Sequence, residues 1–146
     1  MKLAISSDHG GNNLRHEIKQ LLTELNIDFE DFGPESGQSV DYPDYAAPVT
    51  KGVASGKFDK GILICGTGIG MSIAANKVNG IRCALVHDVF SAKATRGHND
   101  SNVLAMGERV IGPGLAREIV QTWLETPFEG GRHERRIEKL MSLENN

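Results

Sequence analysis

Short apolar runs alternate along this chain with longer stretches in which apolar residues recur at helical spacing. The apolar runs predict five strands, at residues 2–6, 27–32, 61–65, 81–86 and 102–106. Most of these runs are continuously apolar, which is typical of strands buried on both faces of a parallel sheet. The run at 27–32 alternates instead, which favours a position near the sheet edge.

Six stretches of helical period separate or follow these runs, at residues 12–25, 42–55, 71–78, 89–96, 113–124 and 132–143, the last of them basic. Asn12 or Asn13 is a predicted N-cap of the first helix, and Asp88 of the fourth. Pro48 suits the second helix only in its first turn, because proline lacks the N–H that an interior position donates. The alternation predicts one α/β domain over residues 1–146, a three-layer α/β/α sandwich with a five-stranded parallel, Rossmann-like sheet.

Composition narrows the class of protein further. The chain is 39% hydrophobic and 24% charged, and its net charge of −3 gives no general attraction for nucleic acid. The apolar run at 2–6 is too short for a signal peptide, and no segment approaches the roughly 18 apolar residues of a membrane span. Cys65 and Cys83 have neither metal-clip nor redox-pair spacing, and they fit a reducing compartment. We therefore expect a cytoplasmic protein.

One stretch carries the strongest chemical signal. The apolar run at 61–64 ends in Cys65 and leads through Gly66, Gly68 and Gly70 into a helical pattern. Glycines permit positive φ values and let the backbone approach a ligand, and free amides before a helix form an anion site. A cysteine in front of a helix N-terminus favours the reactive thiolate, although free cysteines are often simply buried.

A dinucleotide site is the first alternative for this stretch. Gly66, Gly68 and Gly70 give G-x-G-x-G, but Met71 occupies the position of the third glycine of the fingerprint. Asp88 lies about 20 residues further on, where a ribose-binding acid is expected. The turn follows the third strand, however, and no second mononucleotide-binding half remains. We therefore favour an anion-binding catalytic turn.

A metal site is the second alternative. In a parallel sheet, functional groups gather beyond the carboxyl ends of the strands. We expect there the Cys65–Gly70 turn, the polar run before His98, and the pairs Asp8-His9 and His87-Asp88. Adjacent residues at a strand end point in different directions, and no H-E-x-x-H spacing occurs, so we expect no metal. Cys83, inside the fourth predicted strand, is predicted to be a core residue.

Arg132 and Arg136 are four residues apart and should share one face of the last helix. Two guanidinium groups presented together suit a phosphate or a carboxylate, although they equally suit a solvated charged helix. Together with the amide turn and Cys65, they indicate a small phosphorylated substrate. Proton abstraction next to a carbonyl needs such a set and no cofactor.

Five motifs in this chain resemble the family of ribose-5-phosphate isomerase B and the galactose- and allose-6-phosphate isomerases. They are Ser7–Gly10, Asp41–Ala46, Ile64–Gly70, Arg96–Asp100 and Phe128–His133. They occur in the order of the family and span nearly the whole chain. The resemblance implies interconversion of ribose 5-phosphate and ribulose 5-phosphate through a cis-enediol(ate), a step of the non-oxidative pentose phosphate pathway.

The resemblance also implies roles for individual residues. Cys65 would carry the proton between C2 and C1, as in the thiol branch of the family; other members use a carboxylate elsewhere. His98 would open the sugar ring with help from Asp8. The backbone of the turn and the Thr67 hydroxyl would hold the enediolate, through Gly66, Thr67, Gly68, Ile69 and Gly70. The resemblance also implies that Tyr42 and Asn99 contact the substrate. The phosphate is expected on His9, Arg109, Arg132 and Arg136.

The resemblance further implies a homodimer with an active site shared between subunits, and larger assemblies such as tetramers also occur in the family. His98, Asn99 and Arg109 would enter the site from the partner. The expected partners are thus a small phosphorylated sugar and a second copy of the chain, with no nucleic acid and no membrane. Arg135 lies between the two matched arginines and should face elsewhere, so we expect it to be dispensable.

Three alternatives to this function stay open from sequence. The substrate could be allose 6-phosphate, galactose 6-phosphate or a four-carbon sugar phosphate, because the sequence does not report the distance from Cys65 to the arginine pair. The chain could be a non-catalytic sugar-phosphate sensor built on the same turn. A metal-assisted hydride shift could replace proton transfer.

Overall fold

Five parallel strands form one sheet at the centre of the molecule. The structure is a computed structural model, and it describes residues 1–145. The strands, in spatial order β2-β1-β3-β5-β4, have these bounds: β1 Lys2–Ser7, β2 Asp28–Asp31, β3 Lys60–Cys65, β4 Cys83–Leu85 and β5 Val103–Gly107. All four pairings are parallel. The predicted five-stranded parallel sheet is confirmed, with the alternating segment β2 at one edge.

Six α-helices connect or follow the strands: α1 Asn12–Glu24, α2 Tyr42–Ala54, α3 Ile69–Asn76, α4 Val89–Asn99, α5 Pro113–Glu125 and α6 Arg132–Ser142. Short 3-10 turns at His9–Gly11 and Leu143–Asn145 precede α1 and follow α6. Within residues 1–145, no helix is both long and apolar enough to cross a bilayer.

The helices cover both faces of the sheet, which confirms the three-layer sandwich. Side chains of α1, α4 and α5, among them Ile18, Ala92 and Trp123, pack on one face. Side chains of α2 and α3, among them Val49 and Met71, pack on the other. The buried strand residues divide between these two clusters in alternation, as a doubly covered sheet requires.

Some predicted boundaries are wrong. The 3-10 turn at His9–Gly11 precedes α1, so Gly11 and not an asparagine stands at its N-cap. Pro48 lies in the interior of α2; the carbonyl that loses a partner belongs to exposed Asp44, where water can replace the missing donor. Helix α4 continues to Asn99 rather than ending near 96.

Beside edge strand β2, a buried arginine is held by a network of polar groups. Arg15 is 1% exposed, and its guanidinium donates to the Ser7 hydroxyl at 2.5 Å and to the Pro34 carbonyl at 2.6 Å. Its Nε lies 3.3 Å from Oδ1 of Asp31, whose Oδ2 lies 2.7 Å from Nζ of Lys19. Partial burial raises the pKa of Asp31, but Lys19, the Gly33 N–H and Arg15 outweigh burial, so its pKa lies below its ordinary value.

Replacing Asp31 with asparagine should therefore lower the free energy of unfolding at neutral pH by about 2 kcal/mol, because Arg15 stays buried without its counter-charge. A lowered native pKa contributes stability above the unfolded-state pKa, and this stability is lost as pH falls through the native value. The difference between wild type and variant in urea unfolding should thus shrink below about pH 4. Asp28→Asn, at an exposed position of the same strand, is the matched control. An equal loss of unfolding free energy in both variants would contradict this account. So would a difference between wild type and Asp31→Asn that stays the same in acid.

Candidate active site

The sulfur of Cys65 lies at the carboxyl end of β3, directly in front of the glycine turn. The N–H of Gly68 donates to Cys65 Sγ at 3.0 Å. This hydrogen bond holds the sulfur against the backbone of the turn. Gly68 has a φ of +77°, and a Cβ built there would lie 2.8 Å from the carbonyl carbon of Met106. Only glycine therefore lets the turn bring its N–H to the sulfur.

The first residues of α3 supply further backbone donors. The N–H of Ile69 donates to Thr67 Oγ1 at 3.2 Å, which orients the exposed hydroxyl of Thr67 above the turn. The N–H groups of Gly70 and Met71 have no acceptor within residues 1–145, as expected for the first turn of a helix. With the positive end of the helix dipole behind them, they form a site for developing negative charge.

The ring of Tyr42 forms a wall over this turn. A Cβ built on Gly70 would lie 2.9 Å from the Tyr42 ring, so the glycine allows the ring to lie against the backbone. Tyr42 is the first residue of α2 and is 41% exposed. The structure thus brings Tyr42 to the predicted turn, although the two segments are far apart in sequence.

The end of β1 lies beside the glycine turn. The N–H of Asp8 donates to the Ile64 carbonyl at 3.1 Å, and Asp8 Oδ1 accepts from the Gly10 N–H at 2.8 Å. A Cβ built on Gly10 would lie 3.2 Å from the Gly66 nitrogen, so the two turns are in contact. His9 accepts from the Val40 N–H through Nδ1 at 3.1 Å, which leaves its Nε2 available at the exposed surface.

Arg109 approaches the same turn from its own chain. Its N–H donates to the Gly66 carbonyl at 3.0 Å, and its Nε lies 3.6 Å from a Cβ built on Gly66. The resemblance implies an arginine from the partner subunit, whereas the structure places Arg109 beside Gly66 of its own chain. The reason is the pairing of Cys65 with Gly107, which carries the residues after β5 alongside those after β3. No hydrogen bond or ion pair occupies the Arg109 side chain within residues 1–145.

The pair His87-Asp88 has a structural role beside the turn. His87 Nε2 accepts from the Gly107 N–H at 2.9 Å, which requires a neutral ring, and partial burial lowers the pKa of His87 despite the neighbouring Asp88. Asp88 caps α4 as predicted, since its Oδ1 accepts from the Ser91 N–H at 2.6 Å.

His98 and Asn99 do not lie at this edge of the sheet. Both belong to the last turn of α4, which starts beyond the carboxyl end of β4 and runs back to the amino ends. The Asn99 carbonyl accepts from Arg82 Nε at 3.2 Å, just before β4 begins. The two edges of the sheet are separated by the length of a strand, which is about 13 Å from Gly61 to Cys65 at the usual rise per residue. His98 and Asn99 therefore lie at the opposite edge of the sheet from Cys65 of the same chain, and the expectation that the polar run leading to His98 joins the carboxyl edge is wrong at its end.

Residues from α4 and α6 form a second polar cluster at the amino edge. A shallow pocket of about 390 Å³ is lined by His98, Asn99, His133, Arg136, Ile137 and Leu140. The imidazole rings of His98 and His133 stack with centroids 4.4 Å apart and planes 10° from parallel. Glu129 Oε2 lies 3.4 Å from His98 Nε2, and Oε1 lies 3.9 Å from His133 Nε2.

The sequence patterns did not single out Glu129 or His133. Their spacing of four residues was a weak signal, because glycines separate them and predict a break in the helix. His133 is 8% exposed, and burial, the neighbouring His98 and Arg132 lower its pKa.

The cluster is electropositive. Arg132 and Arg136 are exposed, and neither guanidinium has a hydrogen-bond or ion-pair partner within residues 1–145. The donor atoms of His98, Glu129 and His133 lie within 4.8 Å of one another, a spacing that a metal ion could use. Two unpaired arginines, however, disfavour a dication there and favour an anion such as phosphate.

Two further features lie apart from the Cys65–Gly70 turn. Cys83 is half-buried against the core cluster under α2 and α3, so it lies at the margin of the core, and burial raises the pKa of its thiol to about 12. An open groove of about 1070 Å³ follows the outer edge of β4, and Leu85, Leu140 and Leu143 lie in its lining. Cys65 does not line this groove, so the groove is not the site of the proposed sulfur chemistry.

Comparison with known proteins decides the family. The family model described as Ribose/Galactose Isomerase matches residues 3–140. The chain belongs to the ribose/galactose isomerase family.

Individual members of the ribose/galactose isomerase family are similar along nearly the whole chain. Escherichia coli ribose-5-phosphate isomerase B is 49% identical over 98% of this chain and 96% of its own length. The Bacillus subtilis protein YwlF, named provisionally as a sugar phosphate isomerase, is 68% identical over 99% and 97%. The solved Clostridium thermocellum ribose-5-phosphate isomerase B is 51% identical, with a TM-score of 0.98 over 99% of this chain and 98% of that one.

The turn geometry predicts that Gly68→Ala lowers isomerase turnover roughly a hundredfold, because a Cβ meets Met106 and moves the N–H away from the sulfur. Gly56→Ala is the matched control: Gly56 has a φ of +84° but open space around it. Both variants should lose about 1–2 kcal/mol from backbone strain, and Gly68→Ala more because its Cβ also meets Met106, as measured by urea unfolding. Equal turnover in the two variants would show that the turn is not part of the catalytic machinery.

Proposed function

We propose that this chain is an aldose–ketose isomerase that interconverts ribose 5-phosphate and ribulose 5-phosphate by proton transfer, with no cofactor. The observation that carries the proposal is a sulfur that accepts from the Gly68 N–H at 3.0 Å beside a helix start with free N–H groups. The names of the similar proteins point to the same substrate pair. Two unpaired cysteines fit a reducing compartment, and we infer the cytoplasm as the site of action.

In the proposed mechanism, the Cys65 thiolate removes the proton from C2 of the open-chain aldose. The C–H electrons form the C1–C2 double bond, and the carbonyl π electrons move to O1, which gives an enediolate. The N–H groups of Gly70 and Met71 stabilise the oxyanion, which is how preorganised backbone donors lower such barriers. A proton passes from O2 to O1, with the Thr67 hydroxyl as its carrier. The Cys65 thiol then returns its proton to C1, and the ketose forms.

The phosphate would bind to arginines that have no hydrogen-bond or ion-pair partner within residues 1–145. Arg132 and Arg136 share a helix face and an electropositive surface, and Arg109 and His9 flank the turn that holds the sulfur. A phosphate provides the bidentate acceptors that guanidinium groups prefer. His98, with Asp8, would open the furanose ring before proton transfer, and Asn99 and Tyr42 would contact the sugar.

We propose that the complete site forms between two copies of the chain. Cys65 and Arg109 lie at one edge of the sheet, whereas His98, Asn99 and Arg136 lie at the other, so one copy does not unite them. A dimer would bring the amino edge of one copy to the carboxyl edge of the next. Strand β4 is an unpaired edge, and apolar side chains are exposed on it and its flanking helices, at Ile73, Leu85 and Phe90. Such apolar surface is typical of interfaces.

Exchange of the C2 hydrogen with solvent tests the role of Cys65. In D₂O, the wild type should incorporate deuterium at C2 of ribose 5-phosphate, whereas Cys65→Ala should show neither exchange nor turnover but keep sugar-phosphate affinity. Cys83→Ala is the control at the core thiol. Turnover without exchange would indicate a hydride shift, and binding without exchange or turnover in the wild type would indicate a sensor. Turnover compared across four-, five- and six-carbon aldose phosphates would then define the substrate.

The arginine pair gives a separate prediction. Arg136→Ala should raise KM about tenfold or more and change kcat little, because a phosphate contact acts equally in ground and transition states. Arg135→Ala, one residue away on another face of α6, should change neither constant. Steady-state kinetics on ribose 5-phosphate measures both. A loss confined to kcat in Arg136→Ala, or equal losses in the two variants, would argue against phosphate anchoring.

A further inference from the structure

Glu129 lies against α4, although its side chain is 59% exposed. Its backbone N–H donates to the Gly97 carbonyl at 3.1 Å, and its side chain lies over the Gly97 Cα. A Cβ built on Gly97 would lie 2.3 Å from Glu129 Oε2. The space that a side chain at position 97 would occupy is thus filled by this carboxylate.

Gly97 lies inside a helix, where glycine costs about 1 kcal/mol relative to alanine. Its φ is not in the left-handed region, so backbone conformation does not require glycine there. A side chain at position 97 would require the Glu129 carboxylate to move, a shift that this exposed and flexible side chain can make. Glu129 thus lies over Gly97, one residue before His98, and a larger side chain at position 97 would move its carboxylate.

In this position the Glu129 carboxylate lies beside His98. Glu129 Oε2 lies 3.4 Å from His98 Nε2, and the buried ring of His133 stacks on the other imidazole. Contacts of catalytic groups are often long in the absence of substrate and shorten in the complex. A carboxylate next to Nε2 retains the proton on that nitrogen, which leaves Nδ1 as the nitrogen that can exchange a proton with a sugar.

We propose that Glu129 is a positioning residue that holds the His98 imidazole, between its own carboxylate and the stacked His133 ring, in the orientation needed for ring opening. This inference rests on the proposed function. It assigns Glu129 no contact with the substrate. The carboxylate acts through His98 alone, and so it should affect the opening of the furanose ring and not proton transfer at carbon.

Two assays separate these steps. Turnover of ribose 5-phosphate requires ring opening, because this aldose is mostly a furanose. Exchange of the C1 hydrogen of ribulose 5-phosphate with D₂O does not, because its phosphorylated O5 leaves the ketose acyclic. Glu129→Gln should slow the first reaction about tenfold, as outer-shell partners commonly do, and leave the second within about twofold.

A double-mutant cycle with His98→Asn tests whether the effect passes through His98. The doubly substituted protein should turn over ribose 5-phosphate no more slowly than His98→Asn alone. Gly97→Ala, which displaces the carboxylate without removing it, should reproduce the loss seen in Glu129→Gln. Glu134→Gln, an exposed carboxylate on α6, is the control and should match the wild type.

Three outcomes would overturn the inference: equal loss in both assays, additive losses in the double variant, or a loss no larger than that of Glu134→Gln. A wild-type protein that catalyses neither turnover nor exchange would instead contradict the proposed function itself. An active wild type with additive losses contradicts the role of Glu129 alone.

Discussion

A parallel sheet separates two sets of chemical groups, and the arrangement of this molecule depends on that separation. Each crossover helix begins beyond the carboxyl end of one strand and ends near the amino end of the next. Residues directly after a strand therefore lie at one edge, and residues in the last turn of a helix lie at the opposite edge. Cys65 belongs to the first group, and His98 and Asn99 belong to the second.

The carboxyl edge is arranged around backbone rather than side-chain donors. The left-handed conformation of Gly68 directs its N–H to the sulfur, and the start of α3 leaves further N–H groups without acceptors. Neighbouring strands support this turn, because Gly107 of β5 lies against the Thr67 backbone and Gly10 lies against Gly66. Main-chain groups held in this way need little reorganisation when charge develops, which is the property that an enediolate site requires.

The amino edge is arranged around side chains. A carboxylate and two stacked imidazoles stand beside two guanidinium groups, and the arginines have no counter-ion within residues 1–145. Two exposed guanidinium groups without an ion-pair partner in the described residues suit an anion such as phosphate, as they also suit solvent. The two edges are thus complementary in chemistry: one would stabilise the reacting carbons, and the other would hold the phosphate and open the ring.

Much of the fold was predictable from local pattern. Continuous apolar runs marked the strands, and the glycines after Cys65 marked the turn, because those signals are contained in a few consecutive residues. Pairings between distant segments were not predictable from pattern. The ring of Tyr42 over Gly70, Arg109 beside Gly66 of its own chain, and Glu129 over Gly97 all depend on strand order and crossover direction.

The central claim is that one working site combines Cys65 of one copy with His98 of another. Differently tagged Cys65→Ala and His98→Asn chains can be co-expressed and the mixed dimers assayed on ribose 5-phosphate. Random pairing leaves one intact site in half of the dimers, so activity should recover to about a quarter of wild type. Co-expression of Cys65→Ala with Asp8→Asn, two changes at the same edge, provides the control for the geometry. Activity no greater than the sum of the two parent variants in the Cys65 and His98 mixture would contradict a shared site.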